Sequence, residues 1–340
     1  VTVGVIANPA SGRDIRRLVA GASVFDNSEK GNMVYRFMVG LGAVGVERLL
    51  MMPAASGLYD ALERTLRHHA REEHPLPELE LVEMRLRQDA GDTVRAVEEM
   101  VRRGARAIGV LGGDGTNRLV ARHCGDVPLC ALSTGTNNAF PEMREATVAG
   151  LATGLVATGR LKGEALRREK ILRVGLNEEE DHDCALVDVA ANSERFVGAR
   201  ALWRIEDISE IMVTSAAPDA VGLSAIAGLL EPVSRSAPHG LYVRLAAPED
   251  AEVVLTAPIS PGLVVPVGVA EYARLEPGEH VELESFSGSL ALDGEREIEL
   301  CPADRVEVRL DPCGPTTIDV GAAMREAAHR GLLNGLSARL

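Results

Sequence analysis

Apolar and polar positions divide the chain into two regions of different period. In the first, short apolar runs alternate with helix-period stretches. Val1–Ala7 reads as a strand and Arg13–Ala20 as a short helix. Val46–Met52 is a second apolar run. Gly57–Arg71 carries Leu58, Leu62 and Leu66 on one helical face until Pro75 and Pro77 break it. Leu79–Leu86 alternates as a strand. Asp92–Arg103 places Val94, Val97 and Val101 on one helical face, and Gly104 ends it. Two more apolar runs, Ala107–Leu111 and Leu129–Leu132, bracket a further helix-like stretch. This alternation predicts a parallel sheet with helices on both faces, and ligands bind such sheets beyond the carboxyl ends of the strands. The Gly/Asn-rich segment Phe25–Arg36 reads as a long connection, either a lid over a site or a surface insertion.

After Arg160 the period shortens. Ile171–Leu176 and Cys184–Ala191 flank an acidic loop, Asn177–Asp183, as in a hairpin. Further strands are expected at Glu210–Ser215, Gly240–Leu245, Glu252–Leu255, Val264–Val269, His280–Glu284, Ser289–Leu292, Glu297–Leu300 and Arg305–Leu310. Asp219–Leu230 interrupts them as a short helix, and Thr317–Val320 is a last strand. The expected organisation is an α/β domain over 1–165, an antiparallel β-sandwich over 166–320, and a C-terminal helix, 321–340, packing back on the first domain.

Both apolar runs of the first region end in loops suited to phosphate. One is Gly112-Gly113-Asp114-Gly115-Thr116; the other is Ser133-Thr134-Gly135-Thr136-Asn137-Asn138. Glycine brings no Cβ, so backbone N–H groups can approach an anion closely. A lone carboxylate there, Asp114, suits a general base or a metal partner in phosphoryl transfer. The alternative is that Asp114 only caps the following helix.

These residues carry a resemblance. Gly-Gly-Asp-Gly-Thr after a strand resembles the signature of the NAD kinase and diacylglycerol kinase superfamily. The stretch 133–140 looks like the second nucleotide loop of its lipid-kinase branch, and Asn8-Pro9-Ala10-Ser11-Gly12 is similar to the superfamily's opening loop. The stretch 25–32 with Met51-Met52-Pro53 narrows the resemblance to the ATP-NAD kinase-like acetoin-catabolism protein X subfamily. The resemblance implies an ATP- and Mg²⁺-dependent phosphotransferase. Asp114 would be its catalytic residue. Asn8, Ser11, Gly12, Gly112, Gly113, Gly115, Thr116, Thr134, Gly135, Thr136, Asn137 and Asn138 would bind nucleotide.

The acceptor side is more weakly marked. Asp293-Gly294-Glu295 matches a turn of the lipid-kinase branch and equally an ordinary Asp-Gly hairpin turn. Asn192 is the nearest match to the Asn-Glu pair of NAD kinases, but Ser193 replaces the acid. Residues 213–225, which include Asp219, keep the Leu-Ser-Ala end of the NAD-site motif and lose its Gly-Ser-Thr-Ala-Tyr part. By resemblance the acceptor is the NAD 2′-hydroxyl. A small polyol or acetoin-related metabolite comes second and a lipid alcohol third. The non-enzymatic alternative is a nucleotide-binding regulatory protein of acetoin breakdown.

Composition narrows these classes. Of 340 residues, 46% are hydrophobic but only 3% aromatic, which leaves little for base-stacking platforms. A net charge of −14 disfavours nucleic acid and anionic membranes as partners. The five cysteines form no Cys-x-x-Cys pair and read as reduced, small buried hydrophobes. With no bilayer-length apolar run and no signal-peptide layout at the start, a cytoplasmic homo-oligomer acting on nucleotide and a small molecule is expected. Asp181-His182-Asp183-Cys184 reads as a solvated loop rather than a metal site. His68-His69 reads as an exposed helix face, and His123 as a group with a possible role near the first nucleotide loop.

Overall fold

The computed structural model describes residues 1–9, 25–54, 57–69, 75–135, 138–194, 204–283 and 287–334. The first region runs β1 (Thr2–Ala7), α1 (Asn27–Ala43), β2 (Arg48–Met51), α2 (Leu58–His68), β3 (Glu78–Leu81), α3 (Ala90–Arg102), β4 (Ile108–Gly112), α4 (Asp114–His123), β5 (Leu129–Ser133) and α5 (Ala146–Ala157). The five strands pair in parallel in the order β3-β2-β1-β4-β5. The apolar runs of β1, β4 and β5 are continuous because both faces are covered, whereas β3, at the edge, alternates Glu and Leu. Val3, Val5 and Leu49 face one core, with α1, α2 and α5; Ile6, Leu50 and Val110 face the other. The connections reverse direction between β1 and β4. The crevice at such a switch point lies outside the carboxyl ends of those two strands.

The segment expected as a long connection at 25–36 is instead the start of the 17-residue α1. Asp26 caps it, accepting from the Glu29 N–H at 2.7 Å. Further along, α1 packs closely on α5. A Cβ at Gly40 would lie 2.2 Å from the Thr147 carbonyl oxygen, and one at Gly150 would lie 2.3 Å from that of Phe37. The backbones of α1 and α5 touch, so glycine supplies the contact that a large apolar side chain makes elsewhere. The short helix expected at 13–20 lies outside the described residues.

The second region follows β6 (Leu166–Arg168). It contains β7 (Ile171–Leu176), β8 (Glu179–Ala185), β9 (Asp188–Asn192), β10 (Ile208–Val213), α6 (Leu223–Leu230), β11 (Gly240–Ala246), β12 (Val253–Ser260), β13 (Leu263–Leu275), β14 (His280–Glu282), β15 (Gly288–Leu292), β16 (Glu295–Leu300) and β17 (Val306–Asp311). A seven-stranded antiparallel sheet, β12-β13-β11-β10-β9-β15-β16, packs on a four-stranded one, β14-β17-β7-β8. Alternation sorts the faces. Val189, Ala191 and Met212 turn toward the small sheet, while Ala190, Ile211 and Val213 turn toward α6. The acidic stretch expected as a loop at 177–183 is mostly strand. The turn is confined to Asn177-Glu178, with Asn177 at φ 56°, and β8 starts at Glu179.

The chain then returns to the first region. β18 (Thr316–Ile318) pairs with β5 and β6, extending the first sheet. After it, α7 (Val320–His329) buries Val320, Ala323 and Ala327 in the core shared by α1 and α5. Cys124, Cys130 and Cys184 are buried, and burial pushes each thiol up to about 11. Cys301 and Cys313, expected to be buried, are exposed, because they lie in the surface connections after β16 and β17. No helix among the described residues is long and apolar enough to cross a membrane.

Candidate active site

The loops after β1, β4 and β5 meet at the switch point. Asn8 follows β1, and its Nδ2 donates to Thr116 Oγ1 at 2.9 Å, tying the first loop to the 112–116 turn. Phe25 N–H donates to the Thr134 carbonyl at 3.0 Å, which draws in the third loop. Asn138 closes that loop on itself, donating to Ser133 Oγ at 2.7 Å. A Cβ at Gly113 would stand 2.8 Å from Asn138 Oδ1, so a larger residue there would push the Asn138 amide aside. Of the residues expected to hold nucleotide, Asn8, Gly112, Gly113, Gly115, Thr116, Thr134, Gly135 and Asn138 therefore come together with Asp114. Ser11, Gly12, Thr136 and Asn137 lie outside the described residues.

Asp114 is the first residue of α4 but does not cap it; Gly113 holds the cap position. The Asp114 carboxylate instead accepts from the loop after β5, from Phe140 N–H at 2.8 Å and Ala139 N–H at 3.1 Å. The helix-cap alternative gives way to a carboxylate that joins two loops across the site.

Opposite lies the sandwich. A cleft open to solvent is lined by Asp114 and Ala139 on one side and by Asp188, Asp293, Gly294 and residues 221–224 on the other. The Asp293-Gly294 turn has φ of 53° and 75°, the left-handed pair of a tight hairpin. It is thus an ordinary hairpin turn and a wall of the cleft at once. Glu295 follows it, with a carboxylate oxygen 3.7 Å from where a Gly115 Cβ would stand.

Asp293 is buried, with its Oδ1 accepting from the N–H groups of Leu186 at 2.9 Å and Val187 at 2.7 Å. These bonds bend the chain between β8 and β9, where a single strand over 184–191 was expected. Asp188 Oδ1 in turn accepts from Gly294 N–H at 3.1 Å. Arg118, on α4, reaches the same cluster. It lies 3.7 Å from Asp293, 3.1 Å from Asp183 and 2.9 Å from Glu297. Burial works against the Arg118 charge, but Asp293, Asp183 and Glu297 outweigh it and hold the guanidinium above its ordinary range. Burial pushes the Asp293 carboxyl up, and Arg118 with the Val187 and Leu186 N–H groups offsets this only in part.

Asn192 and Asp219 do not line the cleft. Asn192 ends β9 and accepts from Glu194 N–H at 2.7 Å; Asp219 is exposed. The acid that reaches the cleft is Asp188, four residues before Asn192. Its sequence signal was a lone carboxylate inside an apolar strand run. Lys30 was also missed. It is 1% exposed and donates to the Asn8 carbonyl at 3.1 Å. A charge at an apolar-face position, four residues before Val34 and seven before Phe37, was its signal.

The remaining polar clusters have other partners. Asp181 pairs with Arg173 and Arg309, and Asp183 with Arg118 and Arg122. His69 stacks on Tyr35 with ring centroids 4.9 Å apart, and His123 pairs with Glu98 at the far end of α4 from Asp114. Among the described residues, no three His, Cys, Asp or Glu are placed to hold a metal ion.

Comparison with known proteins accords with this two-part layout. Residues 3–161 match the family model described as the ATP-NAD kinase N-terminal domain. Residues 170–313 match that of the acetoin catabolism protein X C-terminal domain. A diacylglycerol kinase crystal structure from Bacillus anthracis str. Sterne aligns at 11% identity and TM-score 0.45, covering 93% of this chain and 96% of that one. Acetoin catabolism protein X of Cupriavidus necator is 46% identical over 338 residues, 98% of this chain and 94% of that protein. The chain belongs to the acetoin catabolism protein X family, with an N-terminal domain of the NAD kinase type.

Proposed function

We propose that the protein transfers a phosphoryl group from ATP to a hydroxyl of a small acceptor held in the cleft. The observation that carries this reading is the placement of Asp114. It stands at the switch point beside a glycine cradle and faces the Asp188–Asp293 wall across the cleft. The N–H groups of 112–116 and the start of α4 bind phosphate oxygens. Asn8, Thr116 and Lys30 keep the first loop against that cradle. Asp114 takes the proton from the acceptor hydroxyl, and its bonds to Ala139 and Phe140 fix the carboxylate's direction. The sandwich wall seats the acceptor.

The residues present fit a Mg²⁺ ion that arrives with the nucleotide, since such ions are commonly held by one or two carboxylates plus phosphates. Asp114 and Asp188 are the carboxylates available. When bound, the ion shares the charge of the phosphates.

The cleft favours a small acceptor over NAD. Its sandwich side sets the aliphatic side chains of Ile205, Ile208, Val221, Leu223 and Ile259 beside Asp188, Asp293, Arg204 and Ser224. In the segment that carries the NAD-site motif in NAD kinases, Thr214 Oγ1 is spent on the Leu186 carbonyl at 2.7 Å. An acetoin-related hydroxy compound fits this wall, in keeping with the name of the 46%-identical relative. A second reading has one observation in its favour. The Asp114 carboxylate serves as a clasp between loops, which a nucleotide-binding regulatory protein would also need.

An ADP-release assay with NAD and a panel of small hydroxylated metabolites tests the reading. Turnover with a small hydroxy compound and little with NAD is expected. Robust NADP formation would overturn the acceptor assignment, and nucleotide binding without turnover on any acceptor would favour the regulatory reading.

A further inference from the structure

The hairpin of β12 and β13 differs in composition from the rest of the chain. A quarter of all residues are charged, yet 253–270, which spans β12, the turn and the first part of β13, carries no charge at all. β12 is also an outer strand of the seven-stranded sheet.

The register sorts this hairpin into two faces. Ala257, Ile259, Val267 and Val269 turn inward to the core under α6. The opposite face carries the cross-strand pairs Val254–Gly268, Thr256–Pro266 and Pro258–Val264. Val254 is 50% exposed there, and Val264, at 59%, is the most exposed large apolar side chain among the described residues. Thr256 and Pro266, between them, are exposed as well. Single exposed apolar residues are ordinary, but a contiguous uncharged face across two strands marks a contact surface.

Charge decides what can sit on it. A net charge of −14 repels a second copy over most of the surface, and the hairpin offers a face without that repulsion. Its nearest charges lie at one end. Glu249, Asp250 and Glu252 precede β12, and Glu271, paired with Arg244 at 2.9 Å, follows the uncharged run. The other end is the uncharged turn Pro261-Gly262. A two-fold arrangement with the hairpins antiparallel sets each acidic end over the other copy's neutral turn. An anionic membrane would meet the same acids. Pairing edge to edge is disfavoured, because Pro258 has no N–H to donate and its carbonyl accepts from Gly222 N–H at 3.0 Å.

We propose that two copies of this chain associate face to face through their β12–β13 hairpins, with Val254 and Val264 at the centre of a two-fold contact. The proposal is independent of phosphoryl transfer. The strand it covers also carries Ile259 into the cleft from its other face, so the contact backs the acceptor wall.

Sedimentation velocity of the full chain over about 1 to 100 µM tests it, a range suited to a small interface. A monomer–dimer equilibrium is expected for the wild type. Val264→Glu and Val254→Glu should each weaken it by about hundredfold or more, because like charges then face each other in a desolvated contact. Both side chains are exposed in the single chain, so thermal melting should stay near wild type. Val148→Glu, at an exposed apolar position on α5, should leave the dimer intact. Should a glutamate variant fail to fold, Val264→Ser removes the apolar side chain without adding charge and should still weaken association by about tenfold. A monomer throughout the range overturns the proposal, as does a dimer that survives both glutamates. Pelleting with phosphatidylcholine vesicles is the second arm. A monomeric wild type that binds vesicles, and loses them with Val264→Glu, would overturn the proposal by assigning the face to a membrane.

Discussion

The two walls of the cleft are built by different physics. The first-domain wall is made of backbone: Gly113 lets the loops after β4 and β5 approach, and side chains such as Asn8 and Asn138 staple them together. The sandwich wall is made of buried charge. Asp293 holds the bend between β8 and β9, Asp188 holds the Asp293 turn, and Arg118 crosses from the first domain to meet them. The first wall is cheap to build locally and tolerates solvent. The second is desolvated, so each charge depends on its partners. Damage to the first should cost ligand binding, and damage to the second should cost the fold.

The largest effect is expected from Asp293→Ala. It strands the Leu186 and Val187 N–H groups and removes one partner of Arg118. Breaking a buried ionic cluster this way destabilises by about 3–5 kcal/mol. Urea unfolding measures it. A loss near the surface-substitution scale of about 0.5 kcal/mol would show that the sandwich wall is not held by this carboxylate.

Gly113→Ala should act on the other wall. The added Cβ would meet Asn138 Oδ1 at 2.8 Å and push the second loop away. Overpacking of this kind costs about 1–3 kcal/mol, and here it should appear mainly as weaker ATP binding in calorimetry. Unchanged ATP affinity would separate Asn138 from the nucleotide site.

The remaining effect concerns pH, at Lys170, whose buried ammonium donates to the carbonyls of His239 and Ser234. The Lys170 ammonium titrates near 8 in the folded chain, against 10.5 ordinarily. Between those values the unfolded chain binds more protons, so this group's contribution to stability rises with pH. Below pH 8 the cost of its burial is present in full. The stability difference between wild type and Lys170→Met should therefore shift in favour of wild type as pH rises from 8 toward 10. A difference that stays flat over that range would mean the ammonium is not desolvated as described.

The same contrast explains what the sequence made legible. The first wall follows from local rules: an apolar strand, a glycine turn, a helix. Its loops could be picked out by composition, and their convergence followed from strand order. The second wall depends on pairing between β9 and β15, about a hundred residues apart. Nothing local tells that Asp188 faces a cleft while Asn192, on the same strand, does not. The α1 helix failed for a related reason. Gly31, inside the misread segment, owes its place to a non-local contact with α2, where the Leu58 carbonyl oxygen would lie 3.0 Å from a Cβ. The hairpin strands of the sandwich, by contrast, were visible because alternation is itself a local signal.

The central claim is that Asp114 performs transfer rather than only clasping two loops. The Asp114→Asn variant tests it, with ATP affinity, thermal stability and transfer rate measured on one preparation. Asparagine keeps an oxygen for Phe140 N–H and loses the negative charge. The account predicts near-normal ATP binding, a small change in stability, and a transfer rate lower by about two to four orders of magnitude. A variant that transfers phosphate at nearly the wild-type rate would contradict it and leave Asp114 as a clasp between loops.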